Sequence, residues 1–233
     1  MPAINWTAEE LAALAAVAPA ELQEVLVLWR QYAPRQAREA LATAAGTPVP
    51  RAVLDPTFTA VSREAVTLAT SVQTGAVDVG YYQLQMADLV RFTHLAGAGA
   101  AVGGLQALTL ADVALAEVAR QLQLGYLLQL AQGLASGEIL TDGRFLRRSQ
   151  MYIDAGRGTY YDVAEQGFQR LGYDRVRSIR SARDSCAECI YFDGREFEIG
   201  DPAYVKPGRR ICLSSCLCYE EYVTSATGER KLL

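Results

Sequence analysis

Asp184-Ser185-Cys186-Ala187-Glu188-Cys189-Ile190-Tyr191-Phe192-Asp193-Gly194-Arg195, and then Arg210-Ile211-Cys212-Leu213-Ser214-Ser215-Cys216-Leu217-Cys218, together hold all five cysteines of the 233-residue chain. A Cys-x-x-Cys pair is a compact two-thiolate claw. A second thiol group further along can close a tetrahedral Zn²⁺ site, and such closed sites hold small domains together. Five cysteines exceed the four that one zinc needs. Cys212-x3-Cys216 makes a looser second claw, and Cys216-x-Cys218 is too tight for an ordinary knuckle. The candidate ligands are therefore Cys186, Cys189, Cys212 and Cys216, with Cys218 as the substitute. One or two disulfides with a leftover thiol, or a reduced cluster without metal, fit the same spacing. Clustering in a chain whose first residues carry no secretion signal favours metal or reduced thiols over disulfides.

Outward from the cysteines, the pattern turns to β-structure. Val176, Ile179 and Ala182, with Arg and Ser between them, suggest a strand entering the module. Ile190-Tyr191-Phe192, an Asp193-Gly194 turn and Glu196 to Ile199 predict a hairpin. Tyr219 to Val223 offers a closing strand, and the residues from Gly228 read as a frayed tail.

This stretch carries a resemblance. Asp-x-Cys-x-x-Cys, Asp193-Gly194, a Pro-containing spacer and the closing Cys216-Leu217-Cys218 resemble the C-terminal signature of the phage head morphogenesis (minor head protein) family. The family ending is His-Pro-x-Cys-Arg-Cys. Leu217 stands here for the arginine, Leu213 falls where the histidine would be, and Cys212 sits one residue earlier. Phe145 to Arg157 resembles the helix that precedes this module in the family. The likeness covers roughly the last 90 residues; the first 140 match no motif. It implies a virion protein of the head or neck, made in the host cytoplasm. It would contact the portal and/or the major capsid protein, and packaged DNA as a further partner, in multiple copies within a symmetric assembly.

The rest of the chain is helical in pattern. Trp6-Thr7-Ala8-Glu9-Glu10-Leu11 fits a capping box with a hydrophobic staple. Pro19 opens a second helix with Leu22, Val25, Leu26, Trp29 and Tyr32 on one face, and Pro34 a third, ending at Gly46. Thr47-Pro48-Val49-Pro50 reads as a linker. Asp55-Pro56 is expected to cap and open a helix that Gly75 stops. Val77 to about Phe92 is a further helix, with Gly97, Gly99, Gly103 and Gly104 in a loop or hinge. Thr109 to Asp112 opens a long helix reaching about Ala135, and Thr141-Asp142-Gly143 precedes another that bears Arg144, Arg147 and Arg148. The fold expected is mainly α, a multi-helix body with a small C-terminal Cys-rich β-hairpin module resembling a zinc ribbon. Its parts are a helical segment over 1–46, a body over 51–172, the module over 173–226 and a tail over 227–233.

Composition narrows the function. Apolar residues make up 51% of the chain, ample for a core, and the net charge of −4 argues against a general polyphosphate binder. A long uncharged stretch, Thr93 to Ala111, is Ala- and Gly-rich and only weakly apolar, which argues against a membrane span. A second basic run, Arg170, Arg175, Arg177, Arg180 and Arg183, lies near Tyr173. Arg144, Arg147, Arg148, Arg175, Arg177 and Arg180 are therefore candidate contacts to a partner or to nucleic acid. A cytoplasmic zinc-ribbon module binding nucleic acid is the competing function. Catalysis is not expected. His94 is the sole histidine, so the thiols lack a nearby base, and an all-cysteine zinc site is closed. Glu196-Phe197-Glu198 resembles the Glu-x-Glu of ADP-ribosyltransferases, but no Ser-Thr-Ser strand accompanies it.

Overall fold

The computed structural model describes residues 27–28, 31–37, 40, 48–181, 185–207, 209–210 and 218–233. The first two expected helices lie almost wholly outside these residues, as do Cys212 and Cys216. Residues 35–37 are helical directly after Pro34, as expected. Tyr32 packs its ring 6.0 Å from Phe92, and Ala33 and Ala37 are buried. This part of the N-terminal segment therefore lies against the body.

The body is an up-down-up-down bundle of four helices, α1 (Arg51–Gln73), α2 (Val79–Ala101), α3 (Leu110–Ala135) and α4 (Gly143–Arg170). Cross-helix bonds fix their directions. Arg51 reaches Tyr161 while Gln73 reaches the Thr141 carbonyl, so α1 opposes α4. Tyr82 meets Ser149 and His94 meets Thr159, so α2 runs parallel to α4. Tyr152 bonds the Tyr126 carbonyl and Arg170 bonds Asp112, so α3 opposes α4. The α3 start is the capping box read from sequence: the Thr109 hydroxyl accepts from the Asp112 N–H, and the Asp112 carboxylate accepts from the Thr109 N–H.

Two helical expectations need correction. Helix α1 begins at Arg51, not at Asp55, and Pro56 lies inside it. The Asp55 carboxylate is taken up by Arg51 and Arg157 rather than by a cap, and the Arg51 anchor starts the helix a turn early. Gly97 and Gly99 lie inside α2, not in a hinge. A Cβ on Gly97 would stand 2.6 Å from the Gly156 carbonyl oxygen, and one on Gly156 would stand 2.7 Å from that of Thr93. These glycines let α2 and α4 cross backbone to backbone. Only Gly103 and Gly104, with φ of 77° and 137°, form the turn.

The C-terminal part is a small antiparallel sheet of order β2-β1-β3-β4, built from β1 (Arg175–Ile179), β2 (Glu196–Glu198), β3 (Tyr219–Val223) and β4 (Arg230–Leu232). Val176 lies opposite both Phe197 and Tyr222 on the core side, while Arg177 lies opposite Glu196 and Glu221 on the outer side. The expected hairpin strand at Ile190 to Phe192 is instead helical, in α5 (Ala187–Phe192). The Cys186 sulfur accepts the Cys189 N–H at 3.4 Å and the Cys186 carbonyl accepts the Ile190 N–H, which winds the Cys-x-x-Cys into a turn. The residues expected as a tail pair as β4: the Leu233 N–H bonds the Glu220 carbonyl, and the Leu233 side chain is buried.

Sheet and bundle share one core. Phe168 of α4 stacks on Tyr222 at 4.3 Å and meets Tyr173 edge-on. Tyr173, Val176, Phe192, Tyr204 and Tyr222 belong to the same apolar cluster as the bundle interior. No helix among the described residues is long and apolar enough to cross a membrane.

Candidate functional site

Cys186, Cys189 and Cys218 form a small cluster of their own, separate from the main core. Cys189 and Cys218 are each 1% exposed. Local folding brings Cys186 and Cys189 together through the α5 turn. Strand pairing brings Cys218 to them, because it directly precedes β3, whose neighbour β1 leads into α5. The Cys189 N–H donates to the Cys186 sulfur at 3.4 Å, which holds the two thiols on one turn. Thiols are the donor type of a structural Zn²⁺ site, and Cys186, Cys189 and Cys218 are the three that the described residues bring near one another. Among the described residues, these three cysteines included, no group of three or more His, Cys, Asp or Glu could hold a metal ion. Cys212 and Cys216 lie outside the described residues.

The cluster is tied to the bundle through the backbone of Cys218. Its carbonyl oxygen accepts from Arg51 Nη1 at 3.0 Å and from the Tyr161 hydroxyl at 2.9 Å. Beside it, a buried polar network holds Tyr204, Val205 and Lys206 in place. Arg210 is fully buried; it bonds the Val205 carbonyl and the Ser178 hydroxyl, and its guanidinium lies 4.8 Å from the Phe192 ring centre. Glu220, also fully buried, accepts from the Tyr204 and Tyr222 hydroxyls at 2.9 and 2.7 Å. Burial pushes its carboxyl up to about 7, against the pull of Lys206 and the two tyrosines. Lys206 in turn bridges Asp162 and Glu165 of α4 at 3.0 and 2.9 Å. Sequence reading passed over Arg51, Arg210 and Glu220. The usable signal for Glu220 was its place in the alternation of Tyr219 to Val223, which puts it on the same face as Tyr222.

The six candidate arginines do not form one surface. Arg144, Arg147 and Arg148 sit on the first two turns of α4, at the bundle end away from the sheet. Arg175, Arg177 and Arg180 belong to β1 and its end. Arg177 pairs with Glu221 at 3.7 Å and bonds the Gly194 carbonyl, and Arg180 pairs with Asp193 at 3.5 Å. Arg170 pairs with the fully buried Asp112. Much of the second basic run is thus engaged by the protein's own carboxylates. Arg144, Arg147 and Arg148 make no ion pair among the described residues, and with Asp142, Gly143 and Met151 they line an open groove of about 580 Å³.

His94 is buried between α2 and α4. One ring nitrogen, Nδ1, lies 2.6 Å from the Thr159 hydroxyl, and Nε2 has no hydrogen-bond partner among the described residues. Burial, reinforced by Arg120 and opposed by Glu117, lowers its pKa to about 4. Its contacts within the bundle core do not include the cysteines. Glu196 of the Glu-x-Glu pair is bridged to Arg230 at 3.2 Å. No family model matches the chain, and no curated protein or solved structure matches it at a significant level.

Proposed function

We propose that the protein is a structural component of a phage virion, of the minor head protein type, that contacts portal or capsid subunits during head assembly. The observation that carries this is the Cys-x-x-Cys and Cys-x-Cys module, with Cys186, Cys189 and Cys218 drawn together and docked on a helical bundle. In this reading Zn²⁺ is a structural ion, held by those three thiolates and by Cys212 or Cys216. An all-cysteine shell leaves no open position for hydrolysis, so the proposal assigns no catalytic role. What the ion would supply is folding energy for the cysteine cluster, which packs apart from the main core.

The competing nucleic-acid reading drew on the arginines between 170 and 183. The pairing of Arg170, Arg177 and Arg180 with Asp112, Glu221 and Asp193 takes most of that support away. The deciding experiment is co-expression with the portal and capsid genes of the source genome, followed by sedimentation of the assembled heads. Co-sedimentation at fixed stoichiometry supports the proposal. Protein left in the soluble fraction, with salt-dependent DNA binding, would replace it with the competing reading.

A further inference from the structure

The groove at the start of α4 joins two features that rarely meet without a purpose. Its charge is one-sided. Arg144, Arg147 and Arg148 lie three and four residues apart, so their side chains rise from one helical face. All three are exposed, and none makes an ion pair among the described residues. Asp142 also lines the groove, but its Oδ1 accepts the N–H groups of Arg144 and Phe145 as the helix cap. Arg180 and Arg230, by contrast, are exposed and paired with carboxylates. Its apolar content is the second feature. Met151 lines the groove at 43% exposure, and Leu140, just before the cap, is 72% exposed. Across the α3–α4 seam, where Tyr152 bonds the Tyr126 carbonyl, Tyr126 and Leu122 are also exposed. From Gln121 to Ala135 α3 carries no charge at all.

We infer that this groove docks an acidic segment of a protein partner, its carboxylates on Arg144, Arg147 and Arg148 and an apolar side chain on Met151. This deepens the proposed function by naming the chemistry of the partner surface, and it rests on that reading only for where the partner is found. Carboxylates fit the guanidinium fork bidentately. A nucleic-acid backbone fits less well. Four residues of helix span about 6 Å, room for one or two anionic groups, whereas backbone binders gain affinity by neutralising a run of phosphates. Nor does a phosphate chain use the exposed Met151 and Leu140. The net charge of −4 also opposes long-range attraction of DNA.

The test uses the full chain at low ionic strength. Fluorescence anisotropy is read with a labelled peptide of alternating glutamate and leucine, with its glutamine counterpart, and with a labelled DNA duplex. Saturable binding of the glutamate peptide, not of the glutamine one, is expected. Joint replacement Arg144→Gln, Arg147→Gln and Arg148→Gln should weaken it by about tenfold or more. Met151→Ala should weaken it by a smaller factor without changing its salt dependence. Circular dichroism verifies that the exposed substitutions leave the helices intact. Equal binding by the triple variant, tighter binding of the duplex, or no saturable peptide binding would overturn the inference. Failure of head incorporation, with peptide binding intact, would remove the virion reading and leave the groove standing.

Discussion

Arg51 Nη1 donates to the backbone carbonyl of Cys218 at 3.0 Å, joining the first turn of the bundle to the last cysteine of the chain. The Tyr161 hydroxyl donates to the same oxygen and is itself 3.2 Å from Arg51. The cysteine cluster is thus fixed to α1 and α4 by main-chain recognition, whatever the chemistry of its sulfurs. Tyr161→Phe removes one of two donors and should cost about 1 kcal/mol. Arg51→Met keeps the apolar stem but removes the charged donor, leaving Asp55 to Arg157; it should cost more, about 2 kcal/mol. Urea denaturation measures both, and an unchanged midpoint for Arg51→Met would show that this contact does not stabilise the fold.

Zinc analysis separates the cysteines. Protein purified under reducing conditions should carry about one zinc per chain. Cys186→Ser, Cys189→Ser and Cys218→Ser should each lose it, because these three share the cluster. Of Cys212→Ser and Cys216→Ser, one should lose its zinc and so identify the fourth ligand, while the other keeps it. Full retention by Cys218→Ser would restore the assignment expected from spacing. Metal-free protein with a protease-resistant C-terminal module would eliminate the site.

His94 predicts acid sensitivity. Its pKa falls from 6.5 to about 4 on folding, so the folded state resists the proton that the unfolded state takes up. The stability this contributes is present above 6.5 and is lost as pH falls towards 4. Linkage gives a loss of about 2 kcal/mol between about pH 7 and pH 5. Of the facing groups, Glu117 is paired with Arg120, and Thr159 does not titrate. His94→Gln should remove this slope, which denaturation at both pH values reads. An unchanged slope in the variant would assign the acid sensitivity elsewhere.

The parts of the fold written in local chemistry were legible in the sequence. Thr109 with Asp112 announced α3, Asp142 announced α4, Gly75 closed α1, and β1 and β3 fell where alternation put them. Misreadings arose where a distant partner decides. Gly97 and Gly99 look like breakers until α4 is seen to need the space at Gly97 and Leu105 the space at Gly99. Asp55-Pro56 looks like a helix start until Arg157 claims the carboxylate. Ile190 to Phe192 has strand composition, but the sulfur of Cys186 caps a helical turn there. The convergence of Cys218 on Cys186 and Cys189 depends on β1–β3 pairing, which residue spacing alone does not encode. The six arginines read as two runs in sequence, but spacing does not show that Glu221 and Asp193 pair with Arg177 and Arg180 of the second.

The α2–α4 crossing gives a paired test on glycine. Gly97→Ala would place a Cβ 2.6 Å from the backbone oxygen of Gly156, closer than real contacts allow, and the neighbour is main chain that cannot rotate away. The two helices must separate, and the side chains packed beside the crossing, Phe92 and Tyr160 among the most buried, lose contact with them. Overpacking of this kind costs roughly 1–3 kcal/mol, and a backbone clash belongs at the upper end. Gly125 offers the control. It is exposed on α3, and nothing lies within 4 Å of the point where a Cβ would stand, so Gly125→Ala brings only helix propensity. That substitution should stabilise by about 0.5–1 kcal/mol. Thermal melts of the two variants should therefore shift in opposite directions from the parent. A Gly97→Ala protein as stable as the parent would show that α2 and α4 do not cross at this separation in solution.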